Sequence, residues 1–185
     1  PYEEHYLSMP GLDTGAYLAV PSGPRTPNSN SRLNFDIPPD WPPGDYVIRI
    51  RCAARPEASP ERKFIEFGHR HYGDRMPAIS AHHVTGTLDA PQVIEIPYTL
   101  KDAGSDPAKR RFAIREIDTG SSVAVRRIFD EGVKANGIGP ELAIWVDWIE
   151  IERKPHADGG VAPGIKALAP LLSLIHISEP TRPRL

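Results

Sequence analysis

The chain has 185 residues, enough for one domain with flanking segments and a sizeable hydrophobic core. Its 22 Lys and Arg residues nearly balance its 24 Asp and Glu residues, and the net charge of −2 argues against nucleic acid as the main partner. No apolar run approaches the ~18 residues of a membrane-spanning helix, so we expect no membrane insertion. The 21 prolines interrupt the apolar runs and disfavour long helices.

The beginning of the chain predicts an internal fragment. The first residue is Pro1 rather than Met, and residues 1–12 are short and polar, so we expect them to be the end of an upstream region. Any export signal would then lie outside this sequence. Cys52 is the single cysteine, which excludes an intramolecular disulfide and a Cys-x-x-Cys-His haem motif.

Strand patterns follow, separated by proline-rich turns. The clearest is Gly44–Ala54, in which Tyr46, Ile48, Ile50 and Cys52 share one face. Further strands are predicted at residues 15–20, 33–37, 62–68, 83–87, 92–100 and 111–117.

Two segments give mixed signals. Pro97 cannot donate to a strand ladder, so its strand is expected at a sheet edge or beside a bulge. Residues 123–129 fit a strand or a short turn, and no segment predicts a convincing helix. The many short strands predict an all-β fold, an antiparallel β-sandwich of jelly-roll type, over residues 13–152. The polar residues 153–171 predict a flexible linker.

The densest apolar stretch is Pro140–Glu152 (PELAIWVDWIEIE), which contains two of the three tryptophans. Its strand-favouring residues predict a central strand with neighbours on both sides. Alternation places Trp145 and Trp148 on opposite faces, with at least one in the core. The other could line a concave sheet face, although cover by a loop is the simpler expectation.

Asp147 interrupts this apolar strand. Strict alternation turns it inward together with Ile149 and Ile151, and a buried carboxylate requires a partner. Arginines on neighbouring strands could provide one: Arg49, Arg51 or Arg115. We predict a structural Asp–Arg pair, for which we select Asp147 and Arg49. The alternative is a β-bulge near Asp147 that switches which face points inward.

The last segment has a different origin in our interpretation. Residues 172–182 (LSLIHISEPTR) resemble the translation of a sequencing adapter along their whole length. We therefore interpret residues 172–185 as an artefact and exclude them from the fold and from candidate sites.

Three stretches, GDYVIRIRCAA, GTLDAPQVIEI and GIGPELAIWVDWIEIE, resemble a segment of planctomycete-type multidomain proteins. Those proteins combine cytochrome c-like domains with domains of unknown function. The resemblance implies a carbohydrate-binding-like β-sandwich, similar to galactose-binding-like modules, within a periplasmic or extracellular envelope protein. Neighbouring domains of the same parent chain are implied partners. The family pattern continues with Gly-Pro, where this chain has Arg153 and Lys154.

Sugar-binding sandwiches stack pyranose rings on exposed aromatic faces and read hydroxyls with a few polar groups. Trp41 lies in the proline-flanked PPDWPP loop, and Tyr72 is followed by Asp74 and Arg75 in HRHYGDR. These four residues are the predicted ligand site, with polysaccharide as the ligand. The alternative is that Trp41 plugs the end of the sandwich and Tyr72 packs under a turn.

The histidines do not predict a transition-metal site. His69 and His71 could share a face, but the adjacent His82 and His83 would point to opposite faces of a strand, so the four cannot converge. We expect no cofactor. The alternative is one structural calcium ion, whose oxygen ligands could come from loop residues such as Asp102, Asp106 or Asp118.

No catalytic set emerges. The chain contains neither a G-x-S-x-G motif nor a phosphate-binding loop. We expect a non-catalytic accessory module that binds carbohydrate, or a purely structural scaffold between domains. A glycan-active hydrolase is the weakest alternative and would require two carboxylates facing one cleft, about 5–10 Å apart. Glu95, Asp147 and Glu150 could supply them.

Overall fold

A computed structural model describes residues 2–18, 32–70, 76–101, 107–116 and 122–155. Its helices are α1 (Tyr2–Leu7) and α2 (Ser122–Asn136), with short 3₁₀ turns at Pro60–Arg62 and Pro107–Arg110. Its strands are β1 (Ala16–Tyr17), β2 (Arg32–Asp36), β3 (Gly44–Ala54), β4 (Phe64–His69), β5 (Ala78–His83), β6 (Gln92–Leu100), β7 (Arg111–Glu116) and β8 (Ile144–Arg153).

These strands form two antiparallel sheets of four strands each. Sheet A has the order β1-β8-β3-β6, and sheet B has the order β2-β7-β4-β5. One core cluster contains side chains of both sheets, including Ile48 and Ile50 from sheet A and Phe67 and Phe112 from sheet B. The predicted all-β, sandwich-like architecture is confirmed.

The inner face of β3 is the predicted one. Tyr46, Ile48, Ile50 and Cys52 are all buried in the core. Burying each large apolar side chain contributes about 1.5–3 kcal/mol, so this alternation fixes the register of the strand. Burial also raises the pKa of the Cys52 thiol to about 12, so the thiol is un-ionised at neutral pH.

β8 lies between β1 and β3, so the prediction of an internal strand is confirmed. β6 is paired on one side with β3 and, among the described strands, forms an edge of sheet A. Pro97 lies in it opposite Val47, in agreement with the predicted edge position. The strand predicted at residues 83–87 instead ends at His83.

The prediction of a strand or short turn at residues 123–129 is wrong. This segment belongs to the 15-residue helix α2. Its β-branched residues favour a strand, but its apolar residues recur at helical spacing. The helix ends at Asn136, whose side-chain oxygen accepts hydrogen bonds from the backbone N–H groups of Ile138 (2.8 Å) and Gly139 (3.0 Å). Gly137 follows at φ 75°, the left-handed conformation of a helix C-terminus.

No helix in the described ranges is long and apolar enough to cross a membrane.

Candidate functional site

A β-bulge at Asp147 determines which side chains of β8 reach each face of sheet A. Arg51 of β3 pairs with Trp148, and the next residue, Cys52, pairs with Val146. Asp147 is therefore an extra residue on β8. The bulge alternative is confirmed, and strict alternation is wrong.

The bulge changes the phase of the strand. Before it, Ile144 and Val146 point into the core, and after it Ile149 and Ile151 do so. A shift by one residue is what keeps all four apolar side chains on the inner face. The energy gained by burying them explains why the ladder tolerates the interruption.

Trp145 and Trp148 consequently share the outer face of sheet A, and the prediction of opposite faces is wrong. Trp145 packs with Tyr17 and Ala53 in a second apolar cluster, separate from the core between the sheets. Trp148 lies opposite Arg51, whose neighbours in sequence, Ile50 and Cys52, point into the core. Trp148 is half-buried and belongs to neither apolar cluster.

The predicted Asp–Arg pair exists, but with a different arginine. Asp147 accepts a hydrogen bond from Arg51, because the bulge places its carboxylate on the outer face beside that guanidinium. The choice of Arg49 is wrong. Asp147 is 12% exposed at the side chain, so the pair is partly shielded from water.

Arg49 instead forms ion pairs with three glutamates on the same face. Its Nε donates to Glu95 at 2.7 Å, and its Nη1 donates to Glu152 at 2.5 Å and lies 3.7 Å from Glu150. Hydrogen bonds to Glu95 and then Glu152 hold the pKa of Arg49 above its ordinary value. These contacts link Arg49 of β3 to carboxylates of both neighbouring strands, β6 and β8.

We name these seven residues the outer-face cluster: Arg49, Arg51, Glu95, Asp147, Trp148, Glu150 and Glu152. The cluster combines one half-buried tryptophan with two arginines and four carboxylates, so its formal charge is negative. Its border is accessible to solvent: the Glu95 side chain is 60% exposed and the adjacent Val93 is 45% exposed.

The other end of the outer face is covered by the segment that precedes β1. Met9 and Leu12 pack on the apolar cluster around Trp145. The indole N–H of Trp145 donates to the carbonyl of Gly11 at 2.9 Å, and the hydroxyl of Tyr17 donates to the carbonyl of Pro10 at 2.9 Å. This tryptophan is structural.

Trp41, the first predicted ligand residue, is 9% exposed. Its ring stacks on Tyr46 with centroids 5.8 Å apart and planes 9° apart, and its carbonyl accepts a hydrogen bond from Arg110 at 2.7 Å. The ring face therefore does not meet solvent, which matches the alternative that Trp41 plugs the end of the sandwich. Tyr72, Asp74 and Arg75 lie outside the described residues, and their role stays a prediction.

The histidines of sheet B are engaged with their neighbours. His82 lies 2.8 Å from the Ser80 hydroxyl, and burial lowers its pKa. The His83 ring stacks on Phe64 at 4.6 Å. In the described ranges, no group of three His, Cys, Asp or Glu side chains could hold a metal ion. His71 lies outside these ranges. So do the candidate calcium ligands Asp102, Asp106 and Asp118.

Sequence reasoning missed a buried ion pair at one end of the sandwich. Arg62 Nε donates to Glu116 at 2.6 Å, and its Nη1 donates to the carbonyl of Glu141, also at 2.6 Å. Burial raises the pKa of Glu116, and the Arg62 guanidinium partly opposes this shift. The pair ties β7 of sheet B to the loop before β8 of sheet A, which indicates a structural role.

A sequence signal for the bulge did exist. The apolar residues of β8 stand at even positions, Ile144 and Val146, and then at odd positions, Ile149 and Ile151. This change of phase at Asp147 predicts an inserted residue.

Comparisons with protein-family models, curated proteins and solved structures found no match.

Proposed function

We propose that this chain is a non-catalytic β-sandwich module that binds carbohydrate at the outer-face cluster, with Trp148 as the stacking surface. The observation that carries the proposal is the bulge at Asp147, which brings Trp148 and a paired carboxylate to the same sheet face. Bulges commonly re-aim side chains at functional sites. We therefore propose a ligand site on the sheet face rather than in the predicted Trp41 loop.

The chemistry around Trp148 suits a sugar ring. An indole offers an apolar face for the C–H groups of a pyranose, while arginine and carboxylate groups supply donors and acceptors for hydroxyls. Arg51 and Asp147 hold each other in place, so little side-chain entropy is lost when they contact a ligand.

The charge of the cluster narrows the ligand class. Four carboxylates outnumber two arginines, and each arginine is already paired. An acidic polysaccharide would meet net repulsion there, whereas a neutral one would not. We therefore propose a neutral glycan. The resemblance to envelope proteins supports glycan as the ligand and the cell envelope as the location.

A structural scaffold between domains is the second candidate, and the buried position of Trp41 favours it. A scaffold would use its exposed apolar residues against neighbouring domains of the parent chain. Leu7 on α1 and Val133 on α2 are such residues.

The test is titration of the protein with a panel of neutral and acidic polysaccharides. Binding is measured by tryptophan fluorescence and by calorimetry. We expect saturable quenching by a neutral glycan, and at least a tenfold loss of affinity in Trp148→Ala, which corresponds to about 1.4 kcal/mol. The matched control is Trp41→Phe, which removes a buried tryptophan and should leave binding unchanged.

Three results would contradict the proposal. Absence of binding to every glycan by the folded protein would favour the scaffold. Binding that survives Trp148→Ala and is lost in Tyr72→Ala would place the site in the predicted loop. Release of reducing ends from the glycans would instead support the hydrolase alternative.

A further inference from the structure

Strand β5 is an edge of sheet B that carries no proline and no Asp, Glu, Lys or Arg. Among the described strands it is hydrogen-bonded to β4 alone. Ala78, Ile79, Ala81 and His83 are exposed. The free edge of a strand presents backbone N–H and C=O groups that another extended segment can pair with.

The other described edges each carry a feature that discourages pairing. β6 has Pro97 at its centre and the exposed Glu95 beside it. β2 begins with Arg32 and ends with the exposed Asp36. β1 is only two residues long. β5, with the sequence AISAHH, contains no proline and no Asp, Glu, Lys or Arg.

A bulge limits the usable part of β5. Phe67 pairs with Ser80 and Gly68 pairs with Ala78, so Ile79 is an extra residue on β5. Because a bulge twists an edge away from a partner, only Ser80–His83 remains regular.

We propose that Ser80–His83 pairs antiparallel with the same segment of a second copy of this chain. A two-fold axis would place Ser80 opposite His83 and Ala81 opposite His82, and would join two four-stranded sheets into one of eight strands. A second copy fits because the segment carries no fixed charge. Self-pairing therefore brings no like charges together, whereas a charged peptide would find no complementary charge.

The small side chains of Ser80 and Ala81 would let the two backbones approach. Four residues a side make a small interface, so we expect a weak, concentration-dependent dimer. This inference is independent of the outer-face cluster, which lies on the other sheet.

The test is sedimentation equilibrium of the full chain over a wide range of concentrations, with the wild type and two variants. Ala81→Lys adds a charge to the pairing segment and should abolish the dimer. The matched control is Val93→Lys on β6, which adds the same charge to another exposed edge strand and should leave the dimer intact. Amide hydrogen exchange at residues 80–83 should slow as the wild-type concentration rises.

A wild type that stays monomeric at every concentration would overturn the proposal. So would a dimer that persists in Ala81→Lys, or one that is lost equally in Val93→Lys. Circular dichroism of each variant establishes that it is folded. If Ala81→Lys fails to fold, the concentration dependence of hydrogen exchange in the wild type decides the matter.

Discussion

Trp145 and Trp148 lie three positions apart on one strand and face the same side of one sheet, yet their surroundings differ. Trp145 is buried by Met9 and Leu12 and donates its N–H to a backbone carbonyl. Trp148 is half-buried beside Arg51. The difference arises from what covers each end of the face: an apolar segment at one, paired charges at the other. Residue type alone therefore does not separate a buried structural tryptophan from the partly exposed one that we propose as a stacking surface.

Truncating the two tryptophans should give the largest contrast. Trp145→Ala should lower the free energy of unfolding by about 3–5 kcal/mol, because it leaves a cavity under the covering segment. Trp148→Ala should cost about 1 kcal/mol, because a half-buried side chain loses less apolar contact. Urea denaturation of both variants measures the difference. Equal losses would mean that the two ends of the face are covered alike.

Gly15 tests how closely the covering segment approaches β8. A Cβ atom there would lie 2.4 Å from the carbonyl oxygen of Val146 and 2.6 Å from the Trp145 indole nitrogen. Gly15→Ala should therefore cost about 1–3 kcal/mol through overpacking. Thr14→Ala, at the exposed neighbouring position, should change stability by less than about 0.5 kcal/mol. Thermal unfolding distinguishes the two, and an unaffected Gly15→Ala variant would argue against the close contact.

The charged end should respond least. Asp147→Asn removes the carboxylate that Arg51 binds and should lower stability by about 1 kcal/mol, because the pair is partly shielded from water. Glu95→Gln removes a more exposed carboxylate from Arg49 and should have no measurable effect. Melting temperatures of both variants give the comparison. An unchanged melting temperature for Asp147→Asn would show that the pair contributes nothing to the fold.

Much of the fold was predictable because alternating residues report burial directly. The inward face of β3, the internal position of β8 and the edge position of β6 follow from apolar alternation and from Pro97. Helix α2 was not predicted, because β-branched residues in its sequence favour a strand although its apolar residues recur at helical spacing. Arg51 was one of three candidate partners of Asp147, and the selection of Arg49 was wrong because a bulge moves every later side chain by one position.

The candidate site was less predictable than the fold. Trp41 has proline neighbours that indicate a loop, but its burial depends on residues outside that loop. Tyr46 lies in strand β3, and Arg110 is distant in sequence. Whether an aromatic side chain meets solvent is decided by what packs over it, and a single strand does not contain that information.

The sequence by itself determined the all-β class, the strand that lies inside sheet A and an Asp–Arg pair involving Asp147, because these depend on local alternation and on the cost of an unpaired charge. Only the tertiary structure decided that Arg51 is the partner, that both tryptophans of β8 share the outer face, and that Trp41 is buried. The physical reason is register. Pairing between strands far apart in the chain fixes which side chains are in contact. One inserted residue shifts the register and changes every contact beyond it.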